Sequence, residues 1–157
     1  MQPFLIDTNV GVVANNGHAG ASPACVQRAI ARLQQFMAGE ILVLDEGWEI
    51  LTEYQRNLTP KTGARAGHLF LRWVYNNRSN TERCHWVNLP RTPEGQYEAY
   101  PDQDPALMTF NQSDRVFVAA HLTHPQRPPI VNATDSDWQE SLAALSRHGV
   151  IVEELCG

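Results

Sequence analysis

The sequence has no apolar run approaching the roughly 18–20 residues that a membrane span requires. Its first residues pass straight from Phe4-Leu5-Ile6 into Asp7, without the basic start and longer apolar stretch of a secretory leader. The expectation is a cytoplasmic protein with no membrane partner. Cysteine is scarce: Cys25, Cys84 and Cys156 are far apart, odd in number and never in a CxxC pair. That spacing signals neither a zinc site nor a disulfide framework, so free thiols are expected. His121 and His124 stand three residues apart with no cysteine or third histidine nearby, and read as surface residues near a helix end. There are no repeats and no low-complexity tract. The 157 residues are expected to form one domain, 1–157, long enough to bury a core. With 43% apolar and 18% charged residues, the composition excludes a disordered chain.

Net charge is −5, which disfavours nucleic-acid binding by bulk electrostatics. The distribution is uneven, however. Arg56, Lys61, Arg65, Arg72, Arg78, Arg83 and Arg91 follow one another with only Glu82 as an acid between them. A basic segment beside an acidic remainder suits a metal site next to a polyanion, and it equally suits a solvated helix face.

Hydrophobic patterning predicts alternating strands and helices. Residues 3–6 read as a short buried strand, followed by a loop containing Asn15, Asn16, Gly17 and Gly20. Ser22-Pro23 supplies an N-cap and a first-turn proline. Val26, Ala29, Ile30, Leu33, Phe36 and Met37 then form one helical face that stops at Gly39. Ile41 to Leu44 is a second continuous apolar strand. A helix from about Glu46 to Leu58 carries Trp48, Leu51, Tyr54 and Leu58 on its apolar side, and a further helical region follows Thr59-Pro60. Residues 84–89 read as a short strand. Residues 90–112, with five prolines or glycines and four acids, form a loop excursion, either a substrate lid or surface decoration. A helix over 114–122, a strand at 130–133, a helix over 136–147 and a strand at 150–152 complete the chain. Strands without polar alternation, separated by helices, predict an α/β fold: three layers, α/β/α, around a mostly parallel sheet.

In such sheets ligands gather beyond the carboxyl ends of the strands. Asp7 follows the first strand, Asp45 and Glu46 the second, and Asp135 and Asp137 the strand at 130–133, while Asp114 begins a helix that can reach the same edge. Gathered carboxylates repel, and a divalent cation resolves the conflict. Oxygen donors suit Mg²⁺ or Mn²⁺ rather than zinc. Aspartates at these positions also serve as helix caps, and spacing alone leaves the two readings level.

Four segments resemble one family. Phe4-Leu5-Ile6-Asp7-Thr8-Asn9-Val10 is similar to the opening strand of PIN-domain nucleases, in which the first acid is followed by Thr-Asn. Glu49-Ile50-Leu51-Thr52-Glu53-Tyr54 resembles the helix that carries the family's glutamate. Asp114 to Ala120 resembles its third acid and the helix behind it, and Ile130 to Trp138 its final motif, here lacking the residue between Thr134 and Asp135. The four stand in the family's order across residues 4–138. The resemblance implies a PIN-like fold and a ribonuclease, with Asp7, Glu53, Asp114 and Asp135 as catalytic acids. It implies Asp7, Asp114, Asp135 and Asp137 as ligands to Mg²⁺ or Mn²⁺, with Asn9 and Thr134 orienting them. Two assignments stay open: Glu49 or Glu46 in place of Glu53, and Asp137 in place of Asp135 as principal ligand. Lys61, Arg65 and Arg72 are candidates for contacts to the RNA backbone.

The expected function is therefore metal-dependent hydrolysis of RNA phosphodiesters. The alternatives are a nuclease acting on DNA and a catalytically weak scaffold or partner-binding module. The resemblance allows a protein inhibitor of the antitoxin kind, or a homodimer. A phosphatase with Asp7 as nucleophile is disfavoured, because Asn9 stands where such enzymes carry a second aspartate.

Overall fold

The computed structural model describes residues 1–60 and 65–156. Lys61 lies outside them. Five strands, β1 (Pro3–Ile6), β2 (Ile41–Asp45), β3 (Cys84–Val87), β4 (Ile130–Asn132) and β5 (Val152–Glu154), form one sheet in the order β3-β2-β1-β4-β5. Every pairing is parallel. The helices are α1 (Thr8–Ala14), α2 (Pro23–Gly39), α3 (Glu49–Leu58), α4 (Ala66–Asn77), α5 (Arg115–Thr123), α6 (Ser136–Glu140) and α7 (Leu142–Arg147). Helices α1 to α4 pack among themselves, and α5 lies against β2 and β4. This is the expected three-layer α/β/α architecture. β1, β2 and β4 are buried at every position, as strands covered on both faces must be. No helix among the described residues is long and apolar enough to cross a membrane.

Several boundaries differ from expectation. The loop expected after Asp7 begins instead as α1. Val10, Val12 and Val13 bias the local signal toward strand, yet burial of Val10 and Val13 holds the segment helical. Gly67 permits α4 to cross α1 closely, since a Cβ there would collide with the Gly11 carbonyl oxygen. Asn15, at the end of α1, then accepts from the backbone N–H of Gly67 (2.7 Å) and caps α4. The helix expected from Glu46 starts only at Glu49, and Trp48 is exposed rather than on its apolar side. Helix 136–147 is broken at Ser141 into α6 and α7.

Neither His121 nor His124 is a surface residue. His121 is fully buried, its ring nitrogens facing the carbonyls of Pro128 (2.7 Å) and Gly149 (3.1 Å). His124 Nδ1 accepts from the N–H of Gln126, so its Nε2 carries the hydrogen that bridges 3.0 Å to His85 Nδ1. Burial, and then His85, hold the His124 pKa below the usual histidine range.

The expectation of free thiols is overturned for two of the three cysteines. Cys25 and Cys156 form a disulfide across 131 residues, and only Cys84 is free, buried at the start of β3. Sequence spacing gave no sign of the bridge because α2 and the chain after β5 meet only in the folded sheet. Arg32 joins α2 to β5 itself. It is buried, lies 4.6 Å over the Phe4 ring, and pairs with Glu40 (2.8 Å) and Glu153 (2.6 Å). A crosslink that closes so long a loop restricts the unfolded chain. Replacing both Cys25 and Cys156 by serine is expected to lower the unfolding free energy by roughly 2–4 kcal/mol. Urea titration measures this, and coincident unfolding curves would show that the bridge contributes nothing.

Candidate metal centre

Three aspartates come together at the carboxyl edge of the sheet. One oxygen from each of Asp7, Asp114 and Asp135 lies within 4.8 Å of the others. Each is delivered by the start of a different helix. Asp7 follows β1 and caps α1, its Oδ1 accepting from the Asn9 N–H (2.9 Å). Asp135 follows β4 and caps α6, accepting from the Asp137 N–H (2.9 Å). Asp114 precedes α5 but makes no capping bond. Helix starts carry partial positive charge, which eases the crowding of three carboxylates but falls far short of neutralising it.

The polar frame around the cluster is tightly specified. Trp138, fully buried, donates from Nε1 to Asp7 Oδ2 at 2.6 Å. Asn9 links the ends of β1 and β4: its Nδ2 donates to Asn132 Oδ1 (2.8 Å), and its Oδ1 accepts from the N–H of Ala133 (2.9 Å) and of Thr134 (3.3 Å). Asn132, also fully buried, accepts from the Asp135 N–H (3.2 Å) and donates to the Asp135 carbonyl (3.1 Å) and to Glu154 Oε2 (2.8 Å). Tyr54 donates to the Ile6 carbonyl at 2.6 Å and fixes the strand end just before Asp7.

The excursion at 90–112 helps to build this site and is more than decoration. Tyr100, Leu107 and Phe110 are buried, and Phe110 meets Trp138 edge to face with ring centroids 5.1 Å apart. Arg115, next to Asp114, donates to the carbonyls of Met108 (2.7 Å) and Phe110 (3.2 Å) and holds the loop in place.

Electrostatically the centre is short of positive charge. Burial above all, opposed by hydrogen bonds from Asn9 and Trp138 and reinforced by Asp135, pushes Asp7 up to about 6. Burial, then the charges of Asp7 and Asp135, push Asp114 up to about 9. Asp114 Oδ2 is buried with no hydrogen-bond partner among the described residues. A buried carboxylate oxygen without a donor is costly, and a cation is the partner that this donor set fits. Asp7, Asp114 and Asp135 would hold it.

The other expected site residues are placed as follows. Asp137 is half-buried beside the cluster, its Oδ2 accepting from Asn111 Nδ2 (3.3 Å). Neither Glu53 nor Glu49 joins the three-carboxylate group. Glu53 turns to Arg56 (3.7 Å) and Asn57 (3.3 Å), and Glu49 to Arg91 (3.3 Å). Glu46 is exposed, and Asp45 spends both oxygens on the N–H groups of Glu49 and Ile50. Thr134 meets Asn9 through its backbone, while its hydroxyl has no partner among the described residues, so it does not orient an acid as expected. Arg65 donates to the Asn15 carbonyl (3.2 Å), and Arg72 is exposed on α4. Asn132 and Trp138 were not singled out from the sequence. A polar residue ending the apolar run Ile130-Val131-Asn132 was the available signal for the first, and the aromatic position that closes the motif Ile130 to Trp138 was the signal for the second. No protein-family model, curated protein or solved structure matches the chain.

Proposed function

We propose that the protein is a metal-dependent nuclease of the PIN kind that hydrolyses RNA. The carrying observation is the cluster of Asp7, Asp114 and Asp135, the first two buried and the third partly so, with one oxygen of Asp114 lacking a hydrogen-bond partner among the described residues. Mg²⁺ or Mn²⁺, when bound, would supply an activated water and offset charge at the leaving oxygen. The chain's own residues set the geometry. Trp138 occupies Asp7 Oδ2 and thereby aims the carboxylate. Asn9 and Asn132 keep the ends of β1 and β4 in register, so Asp7 and Asp135 face one another. Phe110 and Phe117 pack around Trp138 and exclude water from behind the acids.

Purified protein with Mn²⁺ is expected to cleave a labelled single-stranded RNA, with Asp7→Asn lowering the rate at least about a hundredfold. Full Mn²⁺-dependent cleavage by Asp7→Asn would sink the reading, and cleavage confined to DNA would redirect it. A scaffold reading draws on the commitment of Glu49 and Glu53 to other partners. It predicts no heat of Mn²⁺ binding in calorimetry.

A further inference from the structure

We infer that the groove beside Trp48 is a binding surface for single-stranded nucleic acid that feeds the carboxylate centre. The inference rests on the nuclease reading for its substrate.

Trp48 is the first observation. After β2 the chain must reverse so that the N–H groups of Glu49 and Ile50 can reach the Asp45 carboxylate. The turn closes with Trp48 N–H on the Asp45 carbonyl (3.0 Å) and puts Trp48 at φ 64°, ψ 19°. Glycine or asparagine meets that left-handed conformation at little cost, whereas a bulky aromatic residue does not. Nor does the core repay it, since Trp48 is 45% exposed. A strained, exposed tryptophan points to a use outside the fold.

Its surroundings give the second observation. The Trp86 ring lies 6.0 Å away, fixed by an Nε1 hydrogen bond to the Arg78 carbonyl (2.7 Å). The Arg78 guanidinium sits 5.9 Å from the rings of both Trp48 and Tyr75. Across the turn, Arg91 lies 4.0 Å over the Tyr97 ring and pairs with Glu49. A cavity of about 380 Å³ opens on the Arg91 side of the turn, lined in part by Asp45, Glu46, Gly47, Leu89, Arg91 and Tyr97. Rings interleaved with guanidinium groups are what unstacked bases and their phosphates require. A duplex hides its base faces and cannot use such rings. Asp45 and Glu49 are already engaged, which leaves Glu46 as the acid opposing a phosphate.

Position is the third. Asp45 pairs in register with Val87, and β1 lies beside β2, so the groove opens on the same strand-end edge as Asp7. Two strand spacings, about 10 Å, separate the ends of β1 and β3. One extended strand can therefore lie across both.

The test measures fluorescence anisotropy of a labelled oligouridylate and of a labelled RNA duplex with the full chain in EDTA. The variants are Trp48→Gly, Arg78→Ala and Arg91→Ala. The single strand is expected to bind more tightly than the duplex. Trp48→Gly is expected to weaken single-strand binding roughly tenfold while its Tm holds or rises, because glycine relieves the strain. Each arginine variant should reduce the salt dependence. Unchanged affinity in Trp48→Gly, as a protein-docking patch would give, overturns the inference, as does equal binding of duplex. Mn²⁺-dependent cleavage that survives Trp48→Gly with unchanged KM sinks this surface and leaves the nuclease reading standing. Trp48-dependent strand binding without any cleavage does the reverse.

Discussion

Asp114→Asn is expected to give a protein that is more stable without metal and inert with it. Asp114 is pushed up to about 9, first by burial and then by Asp7 and Asp135. In the unfolded chain the same carboxyl titrates near 4. Between those values the native state holds a proton that the unfolded state has lost. Unfolding then releases protons, and stability falls as pH rises from about 4 through 9. Asparagine carries no charge at any of these pH values and removes the liability. The gain at pH 8 is expected to be on the order of a few kcal/mol. In EDTA the urea midpoint of the wild type should decline from pH 5 to pH 9, while that of Asp114→Asn stays flatter and lies above it. Metal reverses the order. Mn²⁺ at about a hundred times its Kd adds about 2.7 kcal/mol to a protein that binds it only when folded. The wild type should gain this and the variant should not. Cleavage by the variant should fall at least about a hundredfold. Parallel pH–stability curves for the two proteins would show that Asp114 is not the proton-holding member of the cluster.

Asn9→Ala is expected to be the most damaging single change outside the acids themselves. The amide makes three hydrogen bonds that span from β1 to the exit of β4. Truncation leaves the N–H groups of Ala133 and Thr134 without their acceptor and removes a donor from fully buried Asn132. Each buried polar group so abandoned costs about 1–3 kcal/mol, so a total loss of roughly 2–5 kcal/mol is expected where water reaches part of the gap. Activity should fall as well, because Asp135 follows Asn132 through two further hydrogen bonds and would lose its alignment with Asp7. Chemical denaturation measures the first effect, and the Mn²⁺ affinity of the still-folded fraction measures the second. A variant as stable as the wild type would show that water replaces the amide without penalty.

Much of the frame was readable in advance because its causes are local. Ser22-Pro23 and Gly39 mark the ends of α2 to the residue, since a cap and a stop act over one turn. Ile41 to Leu44 reads as a covered strand because all of its residues are apolar, and the strand is buried throughout. Asp7 and Asp135 were legible at one edge because a parallel sheet delivers its strand ends there, but the same rule also put Asp45 and Glu46 at that edge, and it was the family resemblance that added Asp114 and set those two aside. The glutamates were not legible. Glu46, Glu49 and Glu53 share one helical stripe in sequence, and only the start of α3 at Glu49, forced by the turn at Trp48, decides which way each points. The excursion at 90–112 read as a loop because its prolines forbid regular structure. Its aromatic anchors, Tyr100 and Phe110, acquire meaning only through Arg115 and Trp138, which lie elsewhere in the chain.

By itself, then, the sequence determined the alternation of strands and helices, the all-apolar strands that require a covered sheet, and the aspartates at the ends of elements. Each follows from chemistry within a few residues. Only the tertiary structure decided that Asp45 caps a helix while Asp114 Oδ2 has no hydrogen-bond partner among the described residues, and that Trp138 aims Asp7. It alone joined Cys25 to Cys156 and exposed Trp48 beside Trp86. The reason is physical. Hydrogen-bond satisfaction, charge crowding and exposure depend on which distant groups share a volume, and packing sets that volume.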